Sequence, residues 1–209
     1  MITIATCVLI LGESGTGKST SLRNFEPGEV AIINVSGKPL PFRKKLAMVN
    51  TDDYNKIMDM LPAIVNKGIK SIVIDDSNYL MTNAYMRQAD VKGYDKFTIM
   101  AQNHWNLVYS VEKMLPDDVI VYFMSHIDRD QNGNERAKTV GKMIDSAVTF
   151  EGMFTIVLKT KVKDGQYLFS THNNGFDTVK SPLGMFEQDE IPNDLKVVDA
   201  AIRDYYKEG

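Results

Sequence analysis

The sequence predicts an α/β fold: a mainly parallel, twisted sheet with helices on both faces and an antiparallel hairpin added towards the C-terminus. Three observations carry this expectation. An apolar run, Thr6–Leu11, leads directly into Gly12-Glu13-Ser14-Gly15-Thr16-Gly17-Lys18-Ser19, which reads G-x-x-x-x-G-K-[ST]. A second apolar run, Ser71–Ile74, ends in Asp75-Asp76. A third, Val119–Met124, ends in Ser125-His126. Continuous apolar runs suit strands covered on both faces, and helical patterns lie between them.

Composition bounds what such a chain can be. The 209 residues suffice for one substantial domain, 1–209, and 44% hydrophobic with 24% charged residues is ordinary for a globular protein. A formal net charge of −3 excludes a surface that attracts nucleic acid everywhere. Any such contact needs a local basic loop or a channel between subunits. The single cysteine, Cys7, has no partner for an internal disulfide and reads as a core residue. No apolar stretch reaches membrane-spanning length, and no basic segment with a cleavage site opens the chain. A reducing cytoplasm is the expected compartment.

The elements follow in order. Met1–Leu11 gives the first strand and Gly17–Asn24 a short helix, stopped by Phe25-Glu26-Pro27-Gly28. Val30–Val35 is a buried strand, followed by a rigid loop, Ser36–Pro41. Lys44–Asn50 is ambiguous, with a short edge strand as one reading. Asp52 or Asp53 caps a helix to about Asn66, with Ile57, Met60, Leu61, Ile64 and Val65 on one face and Pro62 challenging its continuity. Helices are expected over Asn78–Asp90 and Phe97–Leu115, split by Gly93. The second carries Ile99, Trp105, Leu107, Val108 and Val111, and Trp105 and Tyr109 read as packing residues rather than a base-stacking platform. Ile127–Gly141 is polar loop and Met143–Phe150 a short helix. Phe154–Val162 and Gln166–Thr171 flank Lys163-Asp164-Gly165, a hairpin signal. A Gly- and Asn-rich loop covers His172–Phe186, and Pro192-Asn193-Asp194 caps a last helix to about Tyr206.

The chemistry rests on residue types. The glycines Gly12, Gly15 and Gly17 let backbone N–H groups turn inward around a phosphate chain, and the following helix points its N-terminus at the same anion. Residues Gly12, Glu13, Ser14, Gly15, Thr16, Gly17, Lys18, Ser19 and Thr20 therefore form the expected ATP site. Lys18 neutralises the β- and γ-phosphates, and Ser19 offers a hydroxyl to Mg²⁺. A strand ending in acids about sixty residues later supplies the second oxygen site for the metal, Asp75. Asp76, one residue on, is placed to polarise an attacking water. His126 has two readings: a γ-phosphate sensor, since strand ends beside such a loop converge on the nucleotide, or a capping residue. The 127–142 stretch also has two: a solvated loop, or a mobile nucleic-acid contact through Arg129, Arg136, Lys138 and Lys142.

With those motifs placed, the order resembles the RecA-like P-loop ATPase core. More narrowly, it is similar to small phage-encoded ATPases of the Sak type, linked to single-strand annealing and recombination. The resemblance covers most of the chain, though only the two phosphate and metal motifs are specific. It implies an ATPase acting on single-stranded DNA in the host cytoplasm, as a ring or filament, beside phage single-strand-binding or replication proteins. It also implies a lysine reaching a neighbour's nucleotide, for which Lys180 is the match here; a solvent-exposed loop lysine is the other reading. One departure stands out. RecA-like enzymes carry a glutamate after the second strand, where this chain has Ile33-Asn34-Val35-Ser36. Either Asp76 serves as base, or ATP acts mainly as a switch. Competing readings are an ATP-gated loader and a small-molecule kinase with Arg129 and Arg136 as a lid; Asn66-Lys67-Gly68-Ile69 fails the guanine-recognition pattern of a GTPase.

Overall fold

The structure is a computed structural model describing residues 4–140 and 149–207. Its strands are β1 (Thr6–Leu11), β2 (Val30–Asn34), β3 (Ala47–Asn50), β4 (Ser71–Asp75), β5 (Ile120–Ser125), β6 (Ile127–Arg129), β7 (Glu135–Ala137), β8 (Ile156–Lys163), β9 (Gln166–Ser170) and β10 (Glu190–Pro192). Its α-helices are α1 (Tyr54–Val65), α2 (Asn78–Arg87), α3 (Asp95–Met114) and α4 (Leu195–Lys207).

Eight strands form one sheet in the order β10-β9-β8-β1-β5-β4-β2-β3. From β8 through β3 every neighbouring pair is parallel; β9 pairs antiparallel with both β8 and β10, so within this sheet β9 alone runs against the other strands. The strand bearing the G-x-x-x-x-G-K-S loop is central, and β5 lies between it and the strand ending in Asp75.

Alternation along β1 explains why helices are needed on both faces. Cys7, Leu9 and Leu11 enter a core with Ile57, Leu61, Leu107, Val108 and Val111, from α1 and α3. Val8 and Ile10 enter another with Leu195, Val198 and Ile202, from α4. Adjacent strand residues point to opposite faces, so a wholly apolar strand must be covered twice. Cys7 is buried as expected, and burial pushes its thiol pKa well up, which keeps it inert.

Several expectations are refined. The short helix after the loop is a 3-10 helix, Ser19–Asn24, rather than an α-helix. The Ser21 N–H meets the carbonyls of both Gly17 and Lys18, the sharing that tightens a helix start. Asp53, not Asp52, caps α1, accepting from the N–H groups of Asn55 and Lys56. Asp52 instead pairs with Arg87 at 2.7 Å. Helix α1 runs unbroken through Pro62. The Lys44–Asn50 ambiguity resolves as the parallel edge strand β3. In the Lys163-Asp164-Gly165 hairpin, Asp164 and Gly165 both have positive φ, 51° and 76°, as a type I′ turn requires. Its first strand, β8, belongs to the parallel part through its pairing with β1. Residues 141–148 fall outside the described residues, and with them most of the Met143–Phe150 helix; Phe150 itself lies in a 3-10 turn.

Trp105 and Tyr109 are not core residues. They stack on each other with centroids 4.7 Å apart and are 40% and 43% exposed. Four residues apart, they share the outer face of α3, whereas Met100, His104, Leu107, Val108 and Val111 turn inward. Ile99 is likewise exposed.

Candidate active site

The carboxyl ends of β1, β2, β4 and β5 meet at one edge of the sheet, and the polar residues after each strand converge there. Register sets who meets whom. Leu11 pairs with Ser125 across β1–β5, and Asn34 with Asp75 across β2–β4. The Gly12 N–H then bonds the Ser125 carbonyl, starting the phosphate loop beside the end of β5.

Two positive-φ glycines shape that loop, Gly15 at 80° and Gly17 at 100°. Gly12 is required for space: a Cβ there would come within 2.0 Å of Thr160 Oγ1. Thr160, from β8, also lies 2.6 Å from Thr16 Oγ1, so β8 holds the loop's outer wall. Lys18 donates to the carbonyls of Gly12 at 2.8 Å and Glu13 at 3.0 Å. Burial lowers its pKa, while Asp76 and Asp75 oppose that shift. An ammonium resting on carbonyls inside a loop of N–H groups is poised to exchange them for phosphate oxygens.

Ser19 Oγ donates to Asp75 at 2.8 Å and 3.1 Å, bringing the two expected metal oxygens together. Burial raises the Asp75 carboxyl to about 6, aided by the neighbouring Asp76 charge. A hydroxyl and a carboxylate are donors that suit Mg²⁺, which typically takes only one or two carboxylates and leans on substrate phosphates for the rest. Among the described residues, no group of three or more His, Cys, Asp or Glu gathers to hold a metal alone. The donor set therefore fits Mg²⁺ arriving with a nucleotide.

Asp76 occupies the left-handed region at φ 58°, uncommon for a residue with a Cβ. Its carboxylate lies 3.4 Å from His126 Nε2 and 3.8 Å from Lys38 Nζ. Burial alone would raise its pKa. Hydrogen bonds from His126 and Ser36, with the charges of His126 and Lys38, outweigh burial and hold it below the ordinary range. The carboxylate thus stays ionised.

These groups line a cleft of about 370 Å³ that runs from Ser14 and Thr20 past Lys18, Ser19, Asp75, Asp76 and His126. Ser36, Lys38, Pro39, Pro41 and Tyr167 also line it and are not marked by any motif. The signal for Lys38 was positional: it follows β2, whose end is one of those converging on the site. Tyr167 approaches from the hairpin; a Cβ on Gly17 would fall 2.9 Å from its ring, a proximity no local pattern encodes.

The polar stretch after β5 is not a featureless loop. β6 and β7 pair as a hairpin, turned by Asp130, which accepts from the N–H groups of Asn132 and Asn134. Arg129 is tied to Glu13 of the phosphate loop at 2.7 Å and to Glu135 at 2.9 Å. Arg136 lies 3.9 Å from Asp128. Lys138 is exposed, its N–H bonded to the His126 carbonyl. Lys142 lies outside the described residues. Lys180 is exposed and does not line its own chain's cleft; its backbone pairs with Val157.

The profile of a family described as an AAA domain matches residues 4–182. Among solved structures, the chain is similar to a KaiC-like protein from the hyperthermophilic archaeon Pyrococcus horikoshii OT3, at 16% identity and a TM-score of 0.49, covering 80% of this chain and 78% of that one. No curated protein matches. Among the described residues, no helix is long and apolar enough to cross a membrane.

Proposed function

The chain belongs to the AAA domain family, a P-loop ATPase family, and from that membership we propose that the whole of it works as one Mg²⁺-dependent ATPase domain whose hydrolysis is coupled to single-stranded DNA. The observation that carries the hydrolytic reading is the joining of Ser19 to Asp75 at 2.8 Å, in a cleft that Lys18 and Asp76 also line.

The residues divide the work. Lys18 and the N–H groups of Gly15 and Gly17 hold the phosphates. Ser19 and Asp75 would hold Mg²⁺, which supplies positive charge to the β- and γ-phosphates. Asp76 orients a water and takes its proton as the water oxygen bonds to the γ-phosphorus. The bond from that phosphorus to the bridging oxygen breaks, and ADP leaves with the electron pair. His126 holds Asp76 in place and lies where a γ-phosphate changes its surroundings.

The DNA reading rests on the β6–β7 hairpin. Arg129 links it to Glu13 of the phosphate loop, so a nucleotide that rearranges the loop acts on the segment carrying Arg136 and Lys138. The resemblance to Sak-type ATPases supports recombination or annealing, a host cytoplasmic setting and an assembly in which Lys180 serves a neighbour's site.

Steady-state ATP hydrolysis with and without single-stranded DNA tests this. Stimulation by DNA is expected, and Asp76→Asn is expected to lower kcat by about 100-fold, the lower range for a lost general base. Full turnover in Asp76→Asn would remove the base assignment. Turnover indifferent to DNA would sink the coupling and leave an ATP-gated switch for a protein client.

A further inference from the structure

We propose that Lys38 is a catalytic cation for γ-phosphoryl transfer, delivered by the chain's own β2 loop and exchanged from Asp76 onto the γ-phosphate when ATP binds. The inference rests on the ATPase reading above and adds a residue to it.

The backbone under Lys38 is fixed. Asn34, at the end of β2, is 2% exposed, and its side chain brackets the loop. Its Oδ1 accepts from the Gly37 N–H at 2.9 Å, and its Nδ2 donates to the Lys38 carbonyl at 2.6 Å. Gly37 takes φ 70°, which turns the chain back over the sheet edge. Pro39 follows immediately and restricts the Lys38 backbone itself. Asn34 is therefore a buried amide that holds the loop at Gly37 and Lys38, besides contacts to Ser36 Oγ and Met48 Sδ.

The ammonium above this backbone is largely exposed by comparison. The Lys38 side chain is 67% exposed, against 13% for Asp76. Its Nζ lies 3.8 Å from Asp76 Oδ2, a loose ion pair, and 5.3 Å from the centre of the Tyr79 ring. At 3.8 Å, with its lysine largely in water, the pair is held loosely, and a phosphate competes for the ammonium. Lys38 and Lys18 border the same cleft and share Asp76 as a neighbouring anion. Lys18 rests on loop carbonyls at the P-loop side, and Lys38 faces it from the β2 side. A triphosphate between them meets one ammonium on each flank.

The exchange does two things. Lys38 donates to non-bridging γ-phosphate oxygens while the bond from phosphorus to the bridging oxygen breaks and that to the water oxygen forms. It stays protonated throughout. Its departure also frees Asp76 Oδ2 to accept from the water whose proton Asp76 takes. An attraction made to charge in the reacting group lowers the barrier more than it tightens diphosphate binding.

The test compares wild type, Lys38→Ala and Lys38→Arg in the full chain, by ATP turnover and by the affinities for ADP, ATPγS and ADP with aluminium fluoride. Lys38→Ala is expected to lower kcat about 100-fold, to weaken ADP–aluminium fluoride in parallel, and to change ADP affinity by less than about 3-fold. Lys38→Arg is expected to restore part of both losses. Turnover in Lys38→Ala within about 3-fold of wild type would overturn the proposal, as would an equal loss of ADP affinity. If wild type itself does not turn over, the ATPase reading fails separately. Lys38 is then read from the preference for ATPγS over ADP, and an unchanged preference in Lys38→Ala rejects it.

Discussion

Lys18→Ala is expected to reduce ATP hydrolysis by at least about 100-fold while leaving the fold intact. The ammonium is the cation seated within the phosphate loop, bonded to the carbonyls of Gly12 and Glu13, and removing one preorganised donor from a phosphoryl-transfer site costs about 100- to 1000-fold. Stability should move little, because burial of Lys18 already disfavours its charged form. Two hydrogen bonds are lost, but so is the burden of keeping a cation out of water. The check is kcat with bound nucleotide, set beside the thermal midpoint. Loss of activity with a midpoint within a few degrees supports the assignment. An Ala variant that still hydrolyses ATP at wild-type rate would contradict the whole reading of the cleft.

Asp199→Ala should destabilise the fold by about 3 kcal/mol, although it lies away from the cleft. Asp199, on α4, is 7% exposed and receives three donors. Ser71 Oγ at 2.7 Å and Tyr122 OH at 2.9 Å donate to one carboxylate oxygen, and Arg203 Nε at 2.7 Å donates to the other. Tyr122 is fully buried within β5, and Ser71 opens β4. Truncation leaves a buried phenol without its acceptor and a half-sheltered guanidinium without its carboxylate, the costly kind of orphan. Arg203 keeps its bonds to the carbonyls of Lys70 and Asp118, which limits the loss. Chemical denaturation measures this, and Asp199→Asn, which keeps the shape and some bonds, should cost less. The network lies near the amino ends of β4 and β5, so hydrolysis by the folded fraction should persist. A midpoint unchanged in Asp199→Ala would show that α4 is held by its apolar face alone.

Much of the fold was legible because its signals are local. An apolar run long enough for a strand, a glycine pattern and a terminal acid identify β1, β4 and β5 without reference to one another. The antiparallel hairpin was legible for the same reason, since Asp164-Gly165 specifies its own turn. The β6–β7 hairpin was hidden because its strands are three residues each and carry as many charges as a loop. Pairing between Arg129 and Glu135 across it, and between Arg129 and Glu13, turns that mixed charge into structure. Trp105 and Tyr109 misled because aromatic rings report apolar area, while which helix face meets the sheet depends on the neighbouring elements.

The sequence by itself determined the chemistry available: a loop that can wrap phosphate, a lysine to neutralise it, and oxygens for a metal. It identified the buried strands β1, β2, β4 and β5 as well, since unbroken apolar runs cannot lie at a wet surface. Only the tertiary structure decided the company these groups keep. It placed β5 between β1 and β4, set Asp76 beside His126, and brought Lys38 into the cleft from a loop more than thirty residues before Asp76 in the chain. The physical reason is that motif residues are set by backbone conformation over a few residues. Contacts between strand ends depend on strand order and register, and those are settled only when both faces of the sheet are packed.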